Sequence, residues 1–325
     1  MLYQLAQSAP MQRVQLLEWE QRGVDLQIWR LDQLDVAAPG NKLFKLDANL
    51  RGARAAGYSR VLSFGGAFSN HIHALALTGA AQGFSTVGII RGEADAANNP
   101  TLSDAVAAGM QLHFVDRSSY RMLSKLRHGD DLGAALGAQF VDCYVIPEGG
   151  ANDLGVIGCK VLGAALANTA HADAQIVLPC ATGTTLAGLV AGLNNANTVL
   201  GVAVLKGAES MAATVRTTLN SIDAHHCTRW SIDTAHHGGG YARMSADLEQ
   251  FIANFQQQTR IPIEPVYSGK MLYAIHRRIE RDDFERGTRL IALHTGGLQG
   301  MRGFGYRKTQ QMNKAGFSHS VLRVG

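Results

Sequence analysis

Short apolar runs alternate along the chain with segments rich in alanine and other small residues. The runs are apolar on both faces, as is typical of strands buried in a parallel sheet, and the segments between them have helical length and spacing. This alternation predicts an α/β fold with parallel sheets. The predicted strands are 60–64, 85–90, 111–115, 144–146, 175–179, 198–204 and 289–293, with an edge strand at 25–30, and the predicted helices are 70–82, 102–109, 155–168, 186–194, 244–258 and 271–282.

The chain of 325 residues is long enough for two domains. No proline-rich or serine-rich linker divides it, so we expect one domain to be inserted in the other. The predicted larger domain consists of residues 1–44 and 155–325, and the predicted smaller domain of residues 45–154.

Composition narrows the possible functions. The 30 basic and 26 acidic side chains are scattered, which argues against a nucleic-acid partner. No segment resembles a signal peptide or a membrane span, so we expect a cytoplasmic protein without a membrane partner. The four cysteines have no CxxC spacing, which favours reduced and mostly buried thiols, and the 12 histidines include no HExxH motif, so no metal is predicted.

A turn rich in threonine follows the predicted strand at 175–179. It contains Thr182, Gly183, Thr184 and Thr185 and leads into a predicted helix. Backbone N–H groups, hydroxyls and the positive end of the helix can converge there on an anion. The turn lacks the P-loop lysine and the GxGxxG of a dinucleotide fold, so a single phosphate fits best. The alternative is a tight turn with incidental threonines.

Three further turns follow predicted strands. The first is Gly65-Gly66-Ala67-Phe68-Ser69-Asn70, and the others are residues 147–152 and 293–298. Ser69 and Asn70 are good helix caps, and the alternative is that they meet a ligand, Ser69 at a carboxylate or α-carbon and Asn70 at a ring substituent. Ligands collect beyond the carboxyl ends of parallel strands, so these turns predict one shared crevice.

Six motifs in order resemble the 1-aminocyclopropane-1-carboxylate (ACC) deaminase/D-cysteine desulfhydrase family, whose members are fold-type II pyridoxal-phosphate enzymes similar to the tryptophan synthase β subunit. The resemblance covers nearly the whole chain. The motifs are Gly40-Asn41-Lys42-x-x-Lys45-Leu46, Gly65-Gly66-x-x-Ser69-Asn70-His71, Glu148-Gly149-Gly150-x-Asn152, Thr182-Gly183-Thr184-Thr185-x-Ala187-Gly188, Pro265-Val266-Tyr267-x-Gly269-Lys270 and His294-Thr295-Gly296-Gly297.

This resemblance implies two open parallel-sheet domains, the smaller inserted in the larger, a homodimer, and pyridoxal 5′-phosphate as cofactor. Lys42 would form the covalent bond with the cofactor aldehyde, because an amine condenses with an aldehyde. Lys45, the second lysine of its motif, would not. Asn70 would contact the ring oxygen O3′, and Thr182, Gly183, Thr184 and Thr185 would hold the 5′-phosphate.

Two activities compete within the family. Lys42 would remove the α-proton of D-cysteine in a β-elimination, whereas the cyclopropane amino acid has no α-hydrogen and its ring must open. Ser69, Tyr241 and Tyr267 are further catalytic candidates, the two tyrosines being similar in position to those of the deaminases.

The residue after Tyr267 favours elimination. Deaminases carry glutamate there, facing the pyridine nitrogen, and this chain has Ser268. A hydroxyl of Ser268 or Thr295 would leave that nitrogen less firmly protonated than a glutamate would, and His71 also resembles the desulfhydrases. We therefore expect a lyase acting on D-cysteine, with ACC deamination as the alternative and a non-catalytic cofactor-binding or regulatory protein as the alternative from another class.

Some positions depart from the family pattern. Pro39 stands where a glycine is usual, and Arg30-Leu31-Asp32-Gln33-Leu34 stands in place of an Arg-Asp-Asp-Leu segment. His73 stands where arginine is common. The substrate pocket could therefore suit another small amino acid.

Overall fold

The computed structural model describes residues 1–93, 99–169, 171, 173–193, 197–222, 228–240 and 242–305. The chain forms two compact units. The first consists of Met1–Tyr58 and Gly149–Leu298, and the second of Ser59–Glu148 with the described residues from Gln299 to residue 305. The domain limits expected from the sequence, with the smaller domain at 45–154, stay a prediction.

The first unit is built on a six-stranded sheet. Its order is β1-β2-β10-β7-β8-β9, and all neighbours are parallel except β1 and β2. Ala292 of β10 lies opposite Ile28 of β2 on one side and Val177 of β7 on the other. The strands are β1 (Met11–Val14), β2 (Asp25–Arg30), β7 (Gln175–Cys180), β8 (Thr198–Ala203), β9 (Arg229–Asp233) and β10 (Arg289–His294).

Helices of the first unit pack around this sheet, and its buried side chains form two apolar clusters. Close packing fixes the helix that carries Lys42, because a β-carbon at Gly158 would collide with the carbonyl oxygen of Phe44. The helices are α1 (Leu2–Ser8), α2 (Leu17–Gln21), α3 (Asn41–Ala55), α8 (Asp153–Ala167), α9 (Thr184–Leu193), α10 (Met211–Ser221), α11 (Ala246–Thr259) and α12 (Ser268–Glu280).

The second unit contains a four-stranded parallel sheet in the order β5-β4-β3-β6. Leu62, Phe64, Ile89 and Val145 form part of its core. The strands are β3 (Arg60–Gly66), β4 (Ser85–Arg91), β5 (Gln111–Val115) and β6 (Cys143–Ile146), and the helices are α4 (Asn70–Ala81), α5 (Pro100–Ala107), α6 (Arg117–Leu123) and α7 (Leu132–Leu136).

All the predicted strands are present, and the predicted α/β class with parallel sheets is confirmed. The prediction that 25–30 is an edge strand was wrong, because β2 is paired on both sides and β1 forms the edge. The sequence pattern also missed strands β1 and β9 and helices α1, α2, α3, α6, α7 and α10. Cys143, Cys159 and Cys180 are free and buried, as expected, and Cys227 lies outside the described residues. No helix of the described part of the chain is long and apolar enough to cross a membrane.

Candidate active site

Lys42 lies in the first turn of α3, where the chain meets the turn after β10. Gly40 precedes the helix with φ of +122° and pairs with Gly296 in an isolated bridge. The N–H of Asn41 donates to the carbonyl oxygen of Thr295 at 3.2 Å. A side chain at Gly40 would meet the Thr295 carbonyl, so this approach requires glycine. The start of α3 is thereby fixed against the motif containing Thr295.

The amine of Lys42 is held in an environment that favours its neutral form. Its Nζ donates to Oδ1 of Asn41 at 3.1 Å and lies 5.6 Å from the ring centroid of Tyr267. Burial, followed by the nearby charge of Lys45, lowers the pKa of Lys42 to about 7. A substantial fraction of the amine is therefore nucleophilic near neutral pH.

Lys45 lies one turn further along α3 and is directed elsewhere. Its side chain is buried, and Nζ donates to the carbonyl oxygen of Gly149 at 3.3 Å. Burial also lowers the pKa of Lys45. Lys45 thus binds the Gly149 carbonyl and contributes to the electrostatic environment of Lys42.

Thr182, Gly183, Thr184 and Thr185, which we call the threonine turn, join β7 to α9. Gly183 has φ of +76°, and the hydroxyls of Thr182 and Thr184 are hydrogen-bonded at 2.9 Å. The first turn of α9 contains no acidic residue. Its N–H groups and hydroxyls are donors suited to a phosphate monoester, so this turn fits the cofactor's phosphate.

Asn41 connects the threonine turn to Lys42. Its Nδ2 donates to the hydroxyl oxygen of Thr185 at 2.9 Å, while its Oδ1 accepts from Lys42 Nζ. One buried carboxamide therefore sets the position of the amine relative to the proposed phosphate-binding turn. Asn41 belongs to the motif that contains Lys42, but the sequence predicted no role for it.

Ser268, one of the two candidates with Thr295 for contact with the pyridine nitrogen, is hydrogen-bonded to Glu264. Its side chain is fully buried, and Oγ accepts from the Glu264 N–H at 3.0 Å and donates to Oε1 of the same residue at 3.1 Å. The Glu264 carboxyl in turn accepts from the N–H groups of Val266, Tyr267 and Ser268 at 2.7 to 2.8 Å. The hydroxyl of Ser268 therefore serves the start of α12.

Glu264 is a site residue that the sequence reasoning missed. Burial raises the pKa of its carboxyl, and the hydrogen bonds from Ser268, Val266 and Tyr267 oppose the rise. The only local signal is an acidic residue just before a predicted helix, which is a common position for a cap.

The Thr295 turn is supported by a buried polar cluster. Arg30 makes two hydrogen bonds with Asp32, at 2.9 and 2.7 Å, and Asp32 lies 3.3 Å from Nδ1 of His294. His294 Nε2 donates to the Pro262 carbonyl at 2.8 Å, and the Gly296 N–H donates to Nδ1 at 3.3 Å. Burial lowers the pKa of His294, which keeps the ring neutral and able to accept from Gly296. The segment that departs from the family pattern thus retains a structural ion pair.

Ser69 and Asn70 belong to the second unit, at the turn between β3 and α4. Ser69 caps α4 by accepting from the Ile72 N–H at 3.3 Å, and its own hydroxyl proton remains able to donate. Asn70 is the first residue of α4, and its Oδ1 accepts from Nε2 of Gln299 at 2.9 Å. The capping interpretation holds for Ser69 and leaves a donor for a ligand.

Within the first unit, the structure connects Lys42 to the threonine turn through Asn41, to Thr295 through the backbone, and to the ring of Tyr267. Tyr241 lies outside the described residues. The first unit therefore contains an amine of lowered pKa attached to a turn of phosphate-binding character.

Comparison with known proteins defines the class. A model of the family described as pyridoxal-phosphate dependent enzyme matches residues 9–296. The chain belongs to this family, and the predicted cofactor class is confirmed. The fold is that of the fold-type II enzymes, since a crystal structure described as an ACC deaminase homologue matches with a TM-score of 0.79 at 24% identity over 92% of each chain.

Relatives carry the two names expected from the motifs. A putative ACC deaminase from Pyrococcus horikoshii is 25% identical, covering 90% of this chain and 94% of that protein. A mitochondrial bifunctional D-cysteine desulfhydrase/ACC deaminase from Arabidopsis thaliana is 27% identical, covering 89% and 75%. A D-cysteine desulfhydrase from Serratia proteamaculans is 25% identical, covering 85% and 87%. The resemblance to this group is confirmed.

Proposed function

We propose that the protein is a pyridoxal-phosphate-dependent lyase that converts D-cysteine and water to pyruvate, ammonia and hydrogen sulfide. The observation that carries the proposal is the amine of Lys42, which has a pKa lowered to about 7 and is tied through Asn41 to the threonine turn. An amine of this kind can both form the bond to an aldehyde and accept a proton near neutral pH.

Pyridoxal phosphate supplies, when bound, an electron sink that stabilises negative charge at the substrate α-carbon. Lys42 Nζ, as the neutral amine, accepts the α-proton of the amino acid. The carbon–sulfur bond then breaks, the thiolate leaves with its electron pair, and the released enamine hydrolyses to pyruvate and ammonia. Thiolate is a good leaving group, so little further acid assistance is needed.

The remaining roles follow from donor chemistry. The threonine turn would hold the phosphate, and Asn70 would donate to the ring oxygen O3′. The Ser69 hydroxyl, whose proton is still able to donate, binds the substrate carboxylate. Tyr267, whose ring centroid lies 5.6 Å from Lys42 Nζ, lines the substrate side.

The choice of D-cysteine is supported by the surroundings of Ser268. A deaminase-type acid at the pyridine nitrogen would strengthen the electron sink, and this chain has a serine whose hydroxyl is engaged with Glu264. Both oxygens of Glu264 accept backbone N–H groups, so that carboxyl is not a substitute acid. Thr295 would then supply the hydroxyl at the pyridine nitrogen, which suits elimination of a good leaving group.

ACC deamination is the second candidate, favoured by the names of the relatives from Pyrococcus horikoshii and Arabidopsis thaliana. The two reactions release different keto acids. Pyruvate comes from D-cysteine, and 2-oxobutanoate comes from the opened ring. The identity of the keto acid therefore separates them.

The test is a panel of D- and L-amino acids and ACC, assayed for keto-acid release by the purified protein and by Lys42→Ala. We expect a yellow protein that releases pyruvate and sulfide from D-cysteine, and a Lys42→Ala variant without colour or turnover. Capture of added pyridoxal phosphate by the cofactor-free protein should become about tenfold faster between pH 6 and pH 8, because the neutral fraction of an amine with a pKa of about 7 rises by that factor.

Lys160→Ala is the matched control, since Lys160 is an exposed lysine on α8, and it should retain colour and turnover. A borohydride-reducible adduct in Lys42→Ala would contradict the assignment of the lysine. Release of 2-oxobutanoate from ACC as the main activity would establish the second candidate, and a coloured protein inactive on the whole panel would indicate a non-catalytic cofactor-binding protein.

We also propose a cytoplasmic homodimer, in which the smaller domain of residues 45–154 is inserted in the larger. This proposal is supported by the family resemblance. Light scattering should give twice the mass of the 34.8 kDa chain.

A further inference from the structure

Asn70 is hydrogen-bonded to a residue from the far end of the described chain. Nε2 of Gln299 donates to Oδ1 of Asn70 at 2.9 Å across 229 residues of sequence, and both residues are half-buried. A primary carboxamide has a donor end and an acceptor end. Because Gln299 engages the oxygen of Asn70, the NH₂ group of Asn70 is left to face another partner.

That orientation matches the chemistry assigned to Asn70. The ring oxygen O3′ of pyridoxal phosphate is an acidic hydroxyl that carries negative charge when ionised, and it needs a donor. A carboxamide turned the other way would direct its oxygen at O3′ and repel it. The direction of the Asn70 amide is therefore important for cofactor binding.

Gln299 is connected to charged residues of the second unit through Arg302, whose N–H donates to the carbonyl oxygen of Gln299 at 3.2 Å. Arg302, one helical turn further along, binds the carboxylate of Asp104 through both terminal nitrogens, one of them at 3.3 Å. His73 lies 3.0 Å from the same carboxylate. The Arg302 hydrogen bond holds the pKa of Asp104 below its usual range, so its carboxylate stays ionised. We call Arg302, Asp104 and His73 the clamp.

Close packing adds to this clamp. A β-carbon at Gly303 would collide with the ring of Phe68, so the segment approaches the turn that precedes Ser69 and Asn70 closely. His73, which stands where the family commonly has arginine, contributes here to the clamp around Asp104. The departure at this position therefore has a local structural role.

We infer that Gln299 is a positioning residue that orients the Asn70 carboxamide so that its NH₂ group faces the cofactor, with Arg302, Asp104 and His73 holding Gln299 in place. This inference rests on the proposed contact of Asn70 with O3′. It does not depend on the identity of the substrate.

The test compares Gln299→Leu with Gln299→Glu in the full-length protein. The readouts are the affinity for pyridoxal phosphate on re-addition after its removal, and the wavelength and pH titration of the visible band. Gln299→Leu should weaken cofactor affinity about 3- to 10-fold, the usual effect of one lost hydrogen bond. Gln299→Glu has nearly the same size but only accepts, so it turns the Asn70 amide over and should weaken affinity more than Gln299→Leu, with a shifted band.

A double-mutant cycle with Asn70→Ala separates positioning from general support. In the Asn70→Ala background, substitution of Gln299 should weaken affinity by less than about twofold. Equal losses with and without Asn70 would overturn the inference, as would wild-type affinity and spectrum in both Gln299 variants.

The chain offers a matched control in an exposed pair of the same chemistry. Nε2 of Gln250 donates to Oδ1 of Asn254 at 2.8 Å on α11. Gln250→Leu and Gln250→Glu should leave cofactor affinity unchanged. If the wild-type protein binds the cofactor and releases no pyruvate from D-cysteine, the proposed substrate fails while the effect of Gln299 remains measurable.

Discussion

Two helices of the first unit begin in opposite ways. At the start of α12, the Glu264 carboxyl accepts the N–H groups of Val266, Tyr267 and Ser268, so the protein's own side chain fills the positive end of the helix. At the start of α9, the first turn has no acidic residue, and two threonine hydroxyls lie beside the backbone N–H groups. The N-terminal ends of both helices are rich in hydrogen-bond donors, and they differ in the acceptor that these donors meet.

This difference separates a structural helix start from a binding one. A helix end satisfied by a buried side chain stabilises the fold and offers little to a ligand. The α9 end presents N–H and O–H donors, and Asn41 connects it to the amine of Lys42. The N–H groups at a helix N-terminus therefore stabilise the fold at α12 and form part of a proposed phosphate site at α9.

Glu264→Ala should have the largest effect, and it acts on stability. It leaves the N–H groups of Val266, Tyr267 and Ser268 and the hydroxyl of Ser268 without the carboxyl as acceptor, so we expect the free energy of unfolding to fall by about 4 kcal/mol. Urea unfolding of the cofactor-loaded protein measures the loss.

Ser245→Ala is the control for this change. Ser245 caps α11 by accepting a single hydrogen bond, from the Leu248 N–H at 3.3 Å. Its removal should cost about 1 kcal/mol. Equal costs for the two variants would show that the Glu264 carboxyl is no more than an ordinary helix cap.

The double variant Thr182→Ala/Thr184→Ala tests the other helix end. Loss of two hydroxyl donors should weaken the affinity for pyridoxal phosphate about 30-fold, or roughly 2 kcal/mol, with little change in the unfolding free energy of the cofactor-free protein. Titration of that protein followed by the visible band gives the affinity.

Pyridoxal, which lacks the phosphate, is the matched ligand for this variant. It should bind the wild-type and double-variant proteins equally, because the threonine turn has no phosphate to hold. A similar loss for both ligands would mean that these hydroxyls support the ring or the fold, and the contrast between the two helix ends would disappear.

The strands and the anion-binding turn could be predicted because their signals are local. Buried parallel strands are continuous apolar runs, and glycine with threonine marks the turn before α9. Helix α3 was missed because ten of its fifteen residues are buried, including Asn41, Lys45 and Asn49, so it has no regular alternation of polar and apolar faces. Its polar residues are satisfied by distant groups such as Gly149 and Asn152.

The contacts that join the site to distant parts of the chain could not be predicted, because no local pattern marks them. The contact of Gln299 with Asn70 spans 229 residues, and His294 meets Asp32 only because β10 lies beside β2. The position of Ser268 next to Tyr267 suggested a ligand contact. Its engagement by Glu264 depends on the path of the backbone before α12, which the motif does not specify.

Ser268→Ala and Thr295→Val should have the smallest effects, and together they test whether the start of α12 is purely structural. Ser268→Ala removes the acceptor for the Glu264 N–H and should lower the unfolding free energy by about 1 kcal/mol while leaving the visible band unchanged. Thr295→Val keeps the shape of the side chain and removes its hydroxyl, so it should shift the pH titration of the band. Ser268 is fully buried and hydrogen-bonded to Glu264, so we expect no contact with the cofactor. A shifted band in Ser268→Ala, together with an unchanged band in Thr295→Val, would contradict this. The serine, and with it the start of α12, would then contact the cofactor.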